Sequence, residues 1–85
     1  MNIEDLIGEA QQAIVKSDAK MALSIAQQAI DGELDLVRLL NDGFSSGIRK
    51  VGDLFGRGEI FLPELILSAE VMKEVTRVLE AAILG

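Results

Sequence analysis

The sequence predicts an all-α fold, an antiparallel four-helix bundle, and three observations carry that prediction. Apolar residues recur at three and four residues through most of the chain, the spacing that aligns side chains on one face of a helix. Polar capping residues and glycines cut this pattern into four stretches joined by short turns, and short turns make consecutive amphipathic helices antiparallel neighbours. At 85 residues the chain (1–85) is a single domain, long enough for one modest core and too short for a bundle plus a separate catalytic domain.

Asn2 caps the first helix, with Asp5 in its first turn, where negative charge complements the helix dipole. Ile3, Leu6, Ile7, Ala10, Ala13 and Ile14 form its stripe, opposite Glu4, Glu9, Gln11, Gln12 and Lys16. Lys16-Ser17-Asp18 is a polar break, and Ser17 or Asp18 caps a second helix whose apolar side is Met21, Ala22, Ile25, Ala26, Ala29 and Ile30. Gly32, just past Asp31, is the expected left-handed stop.

Asp35 caps a third helix running to about Phe55, with Val37, Leu40, Phe44, Ile48, Val51, Leu54 and Phe55 along one side. Gly43 and Gly47 interrupt that side one turn apart, each costing a helix interior about 1 kcal/mol relative to alanine. A neighbouring helix packed into the groove they leave is favoured over a hinge as the offset.

Pro63 and Glu64 open the fourth helix, proline because its N–H has no helical partner there and glutamate because it faces the positive end of the dipole. Leu65, Ala69, Met72, Leu79 and Ile83 make one seam; Leu67, Val71, Val75, Val78 and Ala82 make a second beside it. So wide an apolar arc predicts burial from two sides, either as the central helix or as a core helix that also contributes to a subunit interface. Leu62 and Ile66 fit neither seam, because Lys73 and Arg77 stand eleven residues further on, in almost the same direction.

Composition excludes several functions. A net charge of −6 with no Tyr or Trp disfavours nucleic acid, since no basic run neutralises phosphates and no such ring stacks on bases. An anionic membrane surface is disfavoured likewise. Without Cys there is no disulfide, thiol catalysis or cysteine metal site, and without His the commonest general base and transition-metal ligand are missing. No apolar run approaches the ~20 residues of a membrane span, and the acidic N-terminus is unlike a signal peptide, so a soluble, cytoplasmic protein is expected.

Carboxylates are the remaining catalytic candidates. Glu70 and Glu74 lie one turn apart, but Lys73 and Arg77 interleave with them as ordinary surface ion pairs. A di-metal bundle needs inward Glu and Glu-x-x-His motifs, which are absent, and the GRGE turn lacks the lysine, strand and spacing of a phosphate loop. Met21 and Met72 read as core fillers. No catalytic residue and no metal ligand is assigned, and no activity is expected of this chain by itself.

The stretch VGDLFGRGEIFLPELIL, residues 51–67, is what bundle rules leave unexplained. Gly56 and Gly58 permit unusual backbone angles, and then Ile60, Phe61 and Leu62 arrive where a plain connector would be polar. They are either a loop tucked over the bundle end or an exposed apolar surface that binds a partner or ligand.

The string VGDLFGRGEIFLPELILSAEVMKEV resembles the helical cap domain of cobalamin-dependent methyltransferases, including corrinoid proteins of methylamine, methanol and aryl-ether systems and the cap of cobalamin-dependent methionine synthase. The resemblance extends upstream through Asp31-Gly32 and Gly43 to Gly47 and so covers most of the chain. It implies a four-helix bundle over the upper, methyl-bearing face of the corrin ring. Carried over by position, cofactor contacts fall on Phe55, from the LF pair, on Leu62, from FLPEL, and on Leu65 one turn into the last helix. Ile66 receives no such role.

The family's following α/β cobalamin-binding domain, with its Asp-x-His-x-x-Gly loop, is absent from this chain, and the end at Gly85 favours an excised cap over a standalone relative. The resemblance therefore implies cobalamin in the full-length protein rather than on this fragment, with that domain and methyltransferase subunits as partners. A helical protein-interaction or cobalamin-sensor module is the alternative. The fragment is expected to fold without cofactor, and to form a homodimer or small oligomer through Leu62, Ile66 or the Val71 and Val75 seam.

Overall fold

Each helix begins where a side chain accepts an N–H left free at its start. Asn2 Oδ1 accepts the Glu4 N–H at 3.0 Å and opens α1 (Ile3–Val15). Asp18, rather than Ser17, opens α2 (Ala19–Asp31) by accepting the Met21 N–H at 3.0 Å. Asp35 accepts the Arg38 N–H at 3.0 Å at the head of α3, a continuous helix with an α-helical turn (Leu36–Arg38), a π-helical turn (Leu39–Phe44) and a long α-helical stretch (Ser45–Gly56). In α4 (Leu62–Leu84) the Glu64 carboxylate reaches back to accept the Phe61 N–H at 2.9 Å. The computed structural model describes residues 2–85, and those helices, with no strand among the described residues, make an all-α four-helix bundle.

One motif ends α1, α2 and α3. The N–H two residues past the helix end bonds six-to-one back into it: Asp18 to Ala13 O at 2.8 Å, Leu34 to Ala29 O at 3.0 Å and Glu59 to Leu54 O at 2.9 Å. The residue just before that donor is left-handed in each case, namely Ser17 (φ 54°), Glu33 (φ 53°) and Gly58 (φ 74°). The expected left-handed Gly32 has φ −84° instead; the six-to-one bond from Leu34 assigns that conformation to Glu33, one position later.

Helix α1 is the central element and packs against all three others. Its Leu6, Ile7, Ala10, Ala13 and Ile14 are buried, as are Ala22, Ile25, Ala26 and Ala29 of α2. Gly43 and Gly47 of α3 meet α1 so closely that an added Cβ would lie 2.9 Å from the Ala10 and Ile14 Cβ atoms respectively. Close packing, not hinging, is what offsets these glycines.

The π turn corrects the expected α3 stripe. One extra residue in a turn rotates everything before it by about 100°, so Leu39 and Phe44, not Leu40 and Phe44, become the fully buried pair. Leu36 is then half-buried and Val37, expected on the apolar side, is exposed. Gln11 Nε2 donates to the Asp42 carbonyl at 2.8 Å in this turn. Arg38 bonds Glu4 of α1 and Asp42 of α3; the hydrogen bond and charge of Glu4, then those of Asp42, raise the guanidinium pKa above its ordinary value.

Helix α4 is also corrected. Its buried residues, Ser68, Val71, Val75 and Leu79, form a single strip, while Leu67, Ala69 and Ile83 are exposed and Leu65, Met72, Val78 and Ala82 are half-buried. It is therefore neither central nor buried from two sides, because α1 fills the middle of the bundle. Val71 and Val75 are used inside this chain and are not free for contacts between copies. Among the described residues, no ion pair joins Glu70 or Glu74 to Lys73 or Arg77; the pairs formed are Arg38 with Glu4 and Asp42, and Arg57 with Glu59. No helix among those residues is long and apolar enough to cross a membrane.

Candidate functional site: an apolar ledge at one end of the bundle

The unexplained stretch 51–67 lies at the α3–α4 turn, and its two readings divide between its residues. Val51 is buried and Ile60 half-buried against the core, so part of the stretch is tucked in. The rest is open: Phe55 is 39% exposed, Phe61 75%, Leu62 54%, Ile66 50% and Leu67 59%. Large apolar side chains gathered in this way mark a surface that something else covers.

Backbone bonding presents them. Phe55 lies in the last turn of α3, where its carbonyl accepts the Gly58 N–H at 3.0 Å, and left-handed Gly58 turns the chain toward α4. The exposed Arg57–Glu59 ion pair, 3.0 Å apart, flanks that turn. Phe61 then occupies the N-cap of α4 with extended backbone, and Leu62 and Ile66 follow one turn apart. Leu65, the other residue named for cofactor contact, is half-buried and packs against the core. Phe55 and Leu62 thus belong to the open ledge, and Leu65 to its root.

Sequence periodicity missed two residues. Leu67 falls four before Val71 and reads as core, yet it is open, because the first buried residue of the 23-residue α4 is Ser68 and the turns before it stand beyond the core. Ser68 is 2% exposed. Its Oγ donates to the Ile14 carbonyl at 3.0 Å and lies 2.7 Å from Ser17 Oγ, tying α4 to the α1–α2 turn. A lone serine among apolar neighbours gives no periodic signal; a polar residue on a buried strip is the only hint. Beside the two hydroxyls a groove of about 230 Å³ is lined by Val51, Leu54, Ile60 and Leu67 among others.

Chemically the ledge offers cover and little else. No group of His, Cys, Asp or Glu among the described residues could hold a metal ion. The carboxylate nearest the ledge's root in sequence, Glu64, is engaged with the Phe61 N–H. These residues suit the shielding of a flat, largely apolar group and supply neither a metal ligand nor an activated nucleophile.

A four-helix bundle with an apolar ledge at one end is the architecture of a covering domain. The family described as B12 binding domain matches residues 6–80, and the chain belongs to it, as the helical cap domain of corrinoid proteins. The chain is 37% identical over 78 residues to the trimethylamine corrinoid protein of Methanosarcina barkeri, covering 92% of this chain and 36% of that protein. It is 40% identical over 81 residues to a corrinoid protein of Desulfitobacterium hafniense, covering 95% and 38%. Among solved structures, the monomethylamine corrinoid protein of Methanosarcina barkeri superposes with a TM-score of 0.85 at 26% identity, over 92% of this chain and 37% of that one. The chain thus spans just over a third of the length of the curated relatives it matches.

Proposed function

We propose that this chain is the cap of a corrinoid methyl carrier and covers the upper, methyl-bearing face of cobalamin held by an adjoining α/β domain. The observation that carries the reading is the ledge itself: Phe55, Leu62 and Ile66 stay open in a chain that buries its other large apolar groups well. Bound cobalamin would supply the cobalt centre that accepts and releases the methyl group. Phe55 and Leu62 lie over that face and exclude water from it, with Leu65 backing them from the half-buried side, and none of them offers a nucleophile to take the methyl group. Methyltransferase subunits are the partners on this reading, and the cap moves aside to admit them, because one cobalt face must meet donor and acceptor in turn.

The test is a chimaera in which this chain replaces the matching segment of the Methanosarcina barkeri trimethylamine corrinoid protein, loaded with methylcobalamin. Replacing Phe55 or Leu62 with alanine should leave cobalamin content unchanged and speed light-driven loss of the methyl group severalfold, since the caged fragment escapes more easily. A folded chimaera that takes up no cobalamin, or photolysis that neither substitution changes, overturns the reading.

A further inference from the structure

Ser68 is the one buried polar side chain of this protein and the first buried residue of α4, so it sits at the root of the ledge. Its hydroxyl hydrogen goes to the Ile14 carbonyl at 3.0 Å, which leaves Ser17 to donate to Ser68 Oγ across 2.7 Å. The Ile14 carbonyl already accepts the Ser17 N–H at 3.0 Å, so Ser68 is not needed to satisfy it. An alanine at position 68 would leave no buried backbone group unpaired, and something other than satisfaction must account for the hydroxyl.

Direction is what a hydroxyl adds. Apolar contacts are non-directional and tolerate sliding, whereas a hydrogen bond weakens steeply with angle and distance. Apolar packing is also thinnest here: a groove of about 230 Å³ runs beside the pair, and of the α4 residues before Ser68 only Leu65 is half-buried. Ser17 is itself held in a left-handed conformation (φ 54°) at the end of α1, which costs a residue with a side chain more than it costs glycine.

We propose that Ser17 and Ser68 are positioning residues: their hydroxyl relay to the Ile14 carbonyl fixes the start of α4, and with it Leu62 and Leu65, against the α1–α2 turn, so that the ledge keeps one placement over the group it covers. This rests on the cap reading above. The relay joins the turn between the first two helices to the root of the covering surface, and its loss frees the first turns of α4 without unfolding the bundle.

Ser17→Gly separates positioning from mere stability. Glycine relieves the left-handed strain while deleting the hydroxyl, so the thermal midpoint of the full 85-residue chain should hold or rise. In that chain, amide hydrogen exchange over residues 65–69 should nonetheless quicken by about tenfold relative to the α1 core, as expected for a local opening made easier. Ser68→Ala should act in the same direction. In the methylcobalamin-loaded chimaera both variants should speed photolysis, and Ser68→Thr, which keeps the donor, should restore part of the loss. If Ser17→Gly changes neither exchange nor photolysis while Phe55→Ala still speeds photolysis, the relay proposal fails and the cap reading stands. Exchange that quickens with photolysis unmoved, again with Phe55→Ala effective, makes the relay structural only and also overturns the proposal. Should Phe55→Ala and Leu62→Ala both leave photolysis unchanged, the cap reading fails and takes this proposal with it.

Discussion

The two halves of α3 use the same residue types in opposite ways. Gly43, Phe44 and Gly47 lie in the N-terminal half; Gly52, Phe55 and Gly56 lie in the C-terminal half. In the first half Phe44 is fully buried, and a Cβ on either glycine would run into α1. In the second half Phe55 is open, and a Cβ on Gly52 or Gly56 would meet nothing within 4 Å. One helix therefore serves as core at one end and as a presented surface at the other. Residue type does not mark the difference; the presence of α1 alongside does.

The sharpest way to break this contrast is Phe44→Ala. Removing a fully buried aromatic ring should cost about 3–5 kcal/mol, read as a fall in the urea midpoint at unchanged slope. Next comes Gly47→Ala. The new methyl would sit 2.9 Å from Ile14 Cβ and 3.0 Å from the Gln11 carbonyl oxygen, and backbone cannot rotate aside. Overpacking of that kind outweighs the gain in helix propensity, for a net loss of about 1–3 kcal/mol. A neutral Gly47→Ala would show that the α1–α3 contact is looser than described.

Phe55→Ala should do less, about 1 kcal/mol in stability, because much of the ring already faces water. Its main effect should appear in photolysis of the loaded chimaera. A loss of about 3 kcal/mol or more, as for Phe44, would make Phe55 a core residue and erase the distinction between the two halves.

Much of the fold was legible because its signals are local. Asn2, Asp18 and Asp35 cap helices through their own side chains, and the α1 and α2 stripes follow the helical period. What was not legible depends on distant neighbours. The π turn at Leu39–Phe44 has no signature of its own; it lets Leu39 and Phe44 share a face where α1 meets Gly43. Glu33 takes the left-handed position beside a glycine better suited to it, because the bond from Leu34 to Ala29 fixes the count. Of the ledge, Leu62 and Ile66 betrayed themselves by pointing along a charged stripe. The roles given to Phe55, Leu62 and Leu65 come from resemblance, and periodicity placed Leu67 in the core, although α4 runs past the core at that end.

The smallest expected effect has the opposite sign and tests the contrast most cleanly. Gly52 lies within the final α-helical stretch of α3, carries no positive φ, and has open space where a Cβ would go. Alanine there loses no contact and gains what glycine forfeits in a helix, about 1 kcal/mol at most. The gain should be nearer half of that, since the helix ends at Gly56 and end turns fray. Gly52→Ala should therefore raise the urea midpoint slightly with the slope unchanged, while Gly47→Ala, little more than one turn earlier in the same helix, lowers it. Because both substitutions add the same methyl group to the same helix, propensity largely cancels between them. The difference that remains, about 2–3 kcal/mol, measures α1 pressing on one half of α3 and not on the other. If both substitutions shifted the midpoint in the same direction by similar amounts, α3 would be uniform along its length, and the division into a packed half and a presented half would fail.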